Sequence, residues 1–178
     1  MSGLLLSQWG MVALLGGALG SMQACEVNSA IAPAPTPAAE SPEQVQADAG
    51  MNALEQSVFE QINAHRQSIG LEPLVSNPAI VAQSREHSQQ MAAVGTLSHD
   101  GFESRVEAIA ATLSYRSAGE NVASNQGFAD PAAQAVQGWL NSPGHRQNIE
   151  GNFDVTGIGI AQAGDGTYYL TQIFIQTR

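Results

Sequence analysis

Four histidines stand among the 178 residues, and His145 lies in a stretch built like a site. The run Trp139-Leu140-Asn141-Ser142-Pro143-Gly144-His145-Arg146-Gln147-Asn148-Ile149 joins an aromatic anchor, a turn and an ionisable group. Pro143 and Gly144 are expected to break the helix that leads in, so that His145 projects from a hinge held by packing on either side. An imidazole titrates near neutrality and is the commonest metal ligand, so His145 can serve as acid, base, ligand or plain hydrogen-bond partner. By itself it decides nothing. Two further stretches can supply partners, Leu97-Ser98-His99-Asp100-Gly101 and Ala118-Gly119-Glu120-Asn121-Val122-Ala123. His87, by contrast, follows the spacing Ile80, Ser84, His87, Met91 of one helix face, which reads as a hydrogen-bonded core histidine rather than a ligand.

The elements that must position these groups follow from periodicity and punctuation. Leu54 to about Ile69 reads as a first helix, with Leu54, Val58, Ile62 and Ile69 on one stripe, Asn63 and Arg66 at its edge, and Gly70 ending it. After a stop at Leu71-Glu72-Pro73-Leu74, Asn77 as N-cap and Pro78 at the first helical position open a second helix running to about Val94. Gly95 ends it and leads to the His99 turn. Phe102 to Ala111 is expected to form a short third helix and Tyr115 to Val122 an extended segment containing Glu120. Asp130 and Pro131 open a fourth helix to about Leu140 that buries Val136, Trp139 and Leu140. Val155 to Ala161 and Thr167 to Gln176 are β-branched and aromatic runs. Gly164-Asp165-Gly166 between them offers the positive φ of a tight hairpin. Helices first and strands late give an α+β class, with helices covering a small antiparallel sheet.

Composition narrows the partners. A formal net charge of -10 argues against nucleic acid and against electrostatic adhesion to anionic lipid. Every basic residue is arginine, so a P-loop lysine, a Schiff base and a lysine general base are all excluded. Cys25 is the single cysteine, which rules out an intramolecular disulfide and a thiolate-rich metal centre. It follows a short apolar run, Val12 to Leu19, too short for a comfortable membrane span, and Ser21-Met22-Gln23-Ala24-Cys25 resembles a bacterial lipobox. Residues 1–25 are thus expected to be a signal peptide with Cys25 as a candidate lipid anchor, the plainer alternative being ordinary cleavage that leaves a free thiol. Residues 26–53, rich in Ala, Pro, Glu and Gln, read as a linker that buries too little apolar surface to order itself. Residues 54–178 form the domain.

The three polar stretches, taken in their helix-helix-strand-helix-hairpin order, resemble the CAP superfamily of cysteine-rich secretory, antigen 5 and pathogenesis-related 1 proteins, in its disulfide-free bacterial branch. The resemblance rests on Asn63-Ala64-His65-Arg66, Gly70-Leu71, Pro73-Leu74, Leu97-Ser98-His99, Gly119-Glu120-Asn121-Val122-Ala123, Trp139, Gly144-His145 and the final hairpin. It implies an α-β-α sandwich with a cleft floored by two histidines and two glutamates, a tetrad that binds a divalent cation in some members. Carried over residue by residue, it assigns His99, Glu120 and His145. The fourth member is missing: Leu140, Asn141 and Ser142 stand where the family's Trp-x-x-Glu would place a carboxylate after Trp139. A His-His-carboxylate set with open positions still suits a divalent cation such as zinc, calcium or magnesium.

Three functions remain open on these residues. One is a secreted or cell-envelope binding module, monomeric, whose cleft takes a small ligand, lipid, peptide or wall component. Another is a metal-dependent hydrolase in which Glu120 handles a water. The third is a purely structural polar network. The chain has no His-Glu-x-x-His helix and no Gly-x-Ser-x-Gly elbow, and Ser142 near His145 reads more simply as a turn residue, all of which weighs toward binding rather than catalysis.

Overall fold

The computed structural model describes residues 42–178, with side chains from Ala53 onward. The expected signal peptide, Cys25 and most of the expected linker lie outside the described residues. Nine elements follow in order: α1 (Pro42–Ser68), β1 (Val75–Ser76), α2 (Pro78–Val94), α3 (Phe102–Ala110), β2 (Tyr115–Asn125), α4 (Pro131–Asn141), α5 (Pro143–Ile149), β3 (Val155–Gln162) and β4 (Tyr168–Thr177). Among the described residues no helix is long and apolar enough to cross a membrane.

The four strands form one sheet in the order β1-β3-β4-β2. Strand β4 at its centre alternates as a doubly covered strand must. Leu170 and Phe174 meet Val58, Ile62, Trp139, Ile158 and Ile160 under α1 and α4. On the opposite face Ile173 and Ile175 join Ile80, Phe102, Val106 and Ile109 beneath α2 and α3, while Tyr169 packs on Met91 and Val122. The result is the α+β class and the α-β-α layering expected from sequence. One expectation about the sheet is corrected. It is mixed rather than antiparallel, because β1 runs parallel to β3 through Val75↔Val155 and Ser76↔Thr156, and a two-residue strand is too short for any periodicity to reveal.

Helix α1 begins at Pro42, well before the expected Leu54, so the last part of the assumed linker is helical. Proline is well suited to a first helical turn, and the run from Glu43 to Gln56 contains mostly good helix formers. At its other end Ile69 leaves the stripe and is exposed at 47 %, while Arg66 takes the next core-facing place after Val58 and Ile62. The Arg66 guanidinium, only 3 % exposed, donates to the carbonyls of Glu72, Ile149, Gly151 and Phe153. Four backbone acceptors thus compensate its burial and tie the end of α1 to the chain after α5.

The caps of α2 and α4 form as expected. Asn77 accepts from the Ala79 and Ile80 amides, Gly95 closes α2 at φ 70°, and Asp130 accepts from Ala133. In the hairpin only Gly166 has positive φ, at 88°. Ala163 donates to Thr167 and Gly166 to Ala163, the geometry of a three-residue loop ending in a left-handed residue.

Candidate functional site

His145 does not stand on a hinge. Pro143 breaks α4 but opens the short helix α5, and His145 lies within it. Proline lacks the amide that a helix interior needs but fits a first turn, so one residue ends α4 and starts α5. Side-chain hydrogen bonds pin α4 and α5 to β2: from α4, Trp139 Nε1 donates to the Val122 carbonyl at 3.1 Å; at α5, Asn121 Nδ2 donates to the His145 carbonyl at 3.1 Å, and Asn148 Nδ2 to Asn121 Oδ1 at 2.9 Å and the Glu120 carbonyl at 3.2 Å. His145 is left 1 % exposed.

His99 arrives from the other layer. Gly95 ends α2 and Gly101, at φ 74°, starts α3, so the loop between them is held at both ends by left-handed glycines. Its Nδ1 lies 2.9 Å from Glu120 Oε1. A carboxylate accepts, so His99 donates there from Nδ1. Glu120 Oε2 accepts from Arg105 Nε at 3.1 Å and Nη2 at 2.6 Å, and Arg105 Nη1 donates to the Asp100 carbonyl at 2.7 Å. Arg105 therefore binds both the carboxylate and the loop that carries His99.

Along β2, Glu120 meets His99, and its neighbour Asn121 holds the His145 carbonyl. Their roles differ. Both oxygens of Glu120 are engaged by His99 and Arg105, and among the described residues no three His, Cys, Asp or Glu side chains converge as a ready cation set. The two imidazoles are differently placed. Each has its Nδ1 held, His99 by Glu120 and His145 by Ser142 Oγ at 2.9 Å, and each has a buried Nε2 with no partner. Burial, with a smaller contribution from the charge of His99, lowers the pKa of His145 to about 4. The ring is neutral at physiological pH.

Two contributors escaped the sequence reading. Arg105 follows the apolar spacing of Phe102, Val106 and Ile109 on α3, and an arginine in such a stripe is a signal that a buried acid awaits it. Ser142, read as a turn residue, sits at the third place after Trp139 and fixes the His145 ring, where the family pattern has glutamate. His87, read as a core histidine, is buried and meets the Ser98 carbonyl through Nε2 at 2.8 Å. His65 pairs with Glu150 at 2.9 Å away from the cluster.

Comparison with known proteins bears on the family and the fold. Residues 59–174 match the model of the cysteine-rich secretory protein family, CAP. Over 146 residues the chain is 33 % identical to the YkwD protein of Bacillus subtilis, covering 80 % of itself and 54 % of that protein. It is also similar in structure to an extracellular SCP-domain protein of Bacillus anthracis, with TM-score 0.61, 28 % identity and coverage of 79 % and 45 %. An outer surface protein of Borrelia burgdorferi shares the fold at TM-score 0.62 and 19 % identity, with coverage of 71 % and 94 %. The chain spans about half the length of the two Bacillus proteins. With two thirds of its residues inside the family match and the fold shared by these neighbours, the chain belongs to the cysteine-rich secretory protein, or CAP, family.

Proposed function

We propose that this chain is an extracellular binding module, secreted or held at the cell surface, in which His99 and His145 hold a divalent cation through their Nε2 atoms while Glu120 orients His99 from behind. The observation that carries this reading is the pair of buried, unpartnered Nε2 atoms, each on a ring whose Nδ1 is already held. A buried polar atom without a partner costs about 1 to 3 kcal/mol, so each of the two gains from an occupant. The donor set fits. Imidazole suits zinc and its neighbours, and ligating histidines typically pass their other nitrogen to a carboxylate or similar group. A bound ion would offer a Lewis-acidic docking point to an oxygen of a lipid, peptide or wall ligand. The extracellular setting is supported by the description of the Bacillus anthracis neighbour. Membrane anchoring through Cys25 and a monomeric state belong to the same proposal.

Hydrolysis is the weaker use of the same residues. Glu120 spends both oxygens on His99 and Arg105, which leaves it poorly placed to take a proton from water.

The test is thermal unfolding with and without zinc, calcium or magnesium. A saturating ion should raise the midpoint of the wild type by about 5 °C or more at about pH 7.5, and less at about pH 5.5, where protons compete for imidazole. His99→Ala and His145→Ala should lose the gain and His65→Ala should keep it. Unfolding indifferent to all three ions at both pH values would leave the cluster a structural network, and the two alanine variants would then simply be less stable.

A further inference from the structure

Strand β2 holds the two imidazole-bearing segments from opposite sides. Successive side chains of a strand point to opposite faces, and the neighbours Glu120 and Asn121 are both buried. Glu120 reaches toward α3 and takes His99 Nδ1 at 2.9 Å. Asn121 reaches toward α5 and donates through Nδ2 to the carbonyl of His145 at 3.1 Å. The strand is held in place, because Glu120↔Ile173 and Asn121↔Gln172 lie in the middle of the ladder with β4, and a slip of one residue would exchange the two faces.

Helix α5 has little means of holding His145 by itself. It is seven residues long, well short of what a helix needs to persist alone, and its N-cap Ser142 makes no side-chain cap bond. Ser142 Oγ meets the His145 ring instead, at Nδ1. The ring is thus restrained through Ser142 and the backbone that carries it through Asn121. The Asn121 amide has no freedom to turn over. Its Oδ1 accepts from Asn148 Nδ2 at 2.9 Å, and the same nitrogen reaches the Glu120 carbonyl at 3.2 Å. A carbonyl can only accept, so the nitrogen end of Asn121 must face His145. The charge of His99 is felt at His145, which puts the two residues within electrostatic reach of each other.

We infer that Asn121 is a positioning residue for the ion site, setting where His145 Nε2 stands relative to the ring that Glu120 holds. The inference rests on the cation reading of His99 and His145. Neither near relative replaces the side chain: aspartate has no donor for the His145 carbonyl, and glutamine, one methylene longer, moves the tie and α5 with it. A second asparagine supplies the matched comparison. Asn125 lies four residues on, on the same face of β2, is 1 % exposed, and donates through Nδ2 to the Pro131 carbonyl of α4 at 3.0 Å. It makes the same kind of buried bond to a helix, but not to the helix that carries His145.

The experiment measures the affinity of the full chain for zinc, calcium and magnesium by calorimetry, alongside the metal-free unfolding temperature and the ring nitrogen NMR shifts of His145. Asn121→Ala should weaken ion binding about tenfold or more and move the His145 ring signals. Asn125→Ala should lose comparable thermal stability with both readouts unchanged. Asn148→Ala, at a half-buried position, removes only the lock on the Asn121 amide and should weaken the ion by a smaller factor; it carries the test if Asn121→Ala does not fold. A wild type that binds an ion no more tightly than these α5-side variants overturns this inference alone. So does an Asn125→Ala variant that loses as much affinity as Asn121→Ala, since the effect would then be one of general stability. A wild type that takes up none of the three ions overturns the cation reading itself, and with it any role of Asn121 at an ion site.

Discussion

Glu120 is a carboxylate held 3 % exposed, and the Arg105 guanidinium, 7 % exposed, makes that burial tolerable. Two charge-assisted hydrogen bonds join them, and the Arg105 contact with the Asp100 carbonyl extends the restraint to the loop bearing His99. Losing one partner of a buried ion pair leaves the other charge without compensation, which is far more damaging than losing both. Arg105→Met is therefore expected to lower stability by about 3 kcal/mol, measured from urea midpoints, and adding Glu120→Gln to it should recover part of that loss. A double variant no more stable than the single would show that the ion pair is not what Arg105 supplies.

His145 has a pH signature. Its pKa falls from the usual 6.5 to about 4 in the fold, so between those values the unfolded chain binds a proton that the folded chain does not. The contribution to stability is fully present above about pH 6.5 and is lost as pH falls toward about 4, by about 3 kcal/mol at most. Burial of His87 shifts that group in the same direction. With chelator present, His145→Phe should flatten the acid limb of the unfolding-temperature curve. An unchanged limb would mean that His145 is hydrated or paired in a way the fold does not suggest.

At the scale of elements, α2 lies close on β3. Gly157 and Gly159 face that helix, and a Cβ on either would run into backbone, of Ile80 and Val81 in one case and of Ser84 and Arg85 in the other. The bare glycines let Ser84 and Ser88 donate to the Gly157 and Gly159 carbonyls at 3.1 and 2.8 Å. Gly159→Ala is expected to cost about 3 kcal/mol, because helix backbone cannot yield as a flexible side chain can. Gly164→Ala in the hairpin loop, where nothing lies within 4 Å of the added carbon, should stay within about 0.5 kcal/mol of wild type. Equal losses at the two sites would dismiss the close-packing account. Since α2 ends in the loop that carries His99, a displaced α2 should also weaken the ion response.

The described residues form a three-layer sandwich whose two faces meet at the edge of β2, where α5 from one layer and the His99 loop from the other close around Glu120. Among the residues whose side chains are described, Leu54, Glu55 and Val58 are the first of α1 to pack on the domain; Glu55 is buried against Arg85 and accepts from the Ile160 amide at 3.2 Å. A chain lacking residues 1–51 should therefore unfold cooperatively with its helical far-ultraviolet signal intact. Loss of either would place part of the domain's support before Leu54.

Much of this architecture was legible in the chain because it depends on local rules. Asn77-Pro78 and Asp130-Pro131 announce helix starts, Gly95 a helix end, and the β-branched runs either side of Gly164-Asp165-Gly166 a hairpin, since each involves residues a few positions apart whose φ preferences or side-chain bonds act on the spot. The family pattern likewise named His99, Glu120 and His145. What only the tertiary structure decided is non-local. The parallel pairing of β1 with β3 joins residues 80 positions apart, and the turn of Arg66 into the core depends on carbonyls beyond Ile149. The assignment of Glu120 to Arg105 and His99, with two imidazole nitrogens left bare, exists only because burial removes water as a partner and leaves each polar atom dependent on whichever side chain the fold has brought within reach.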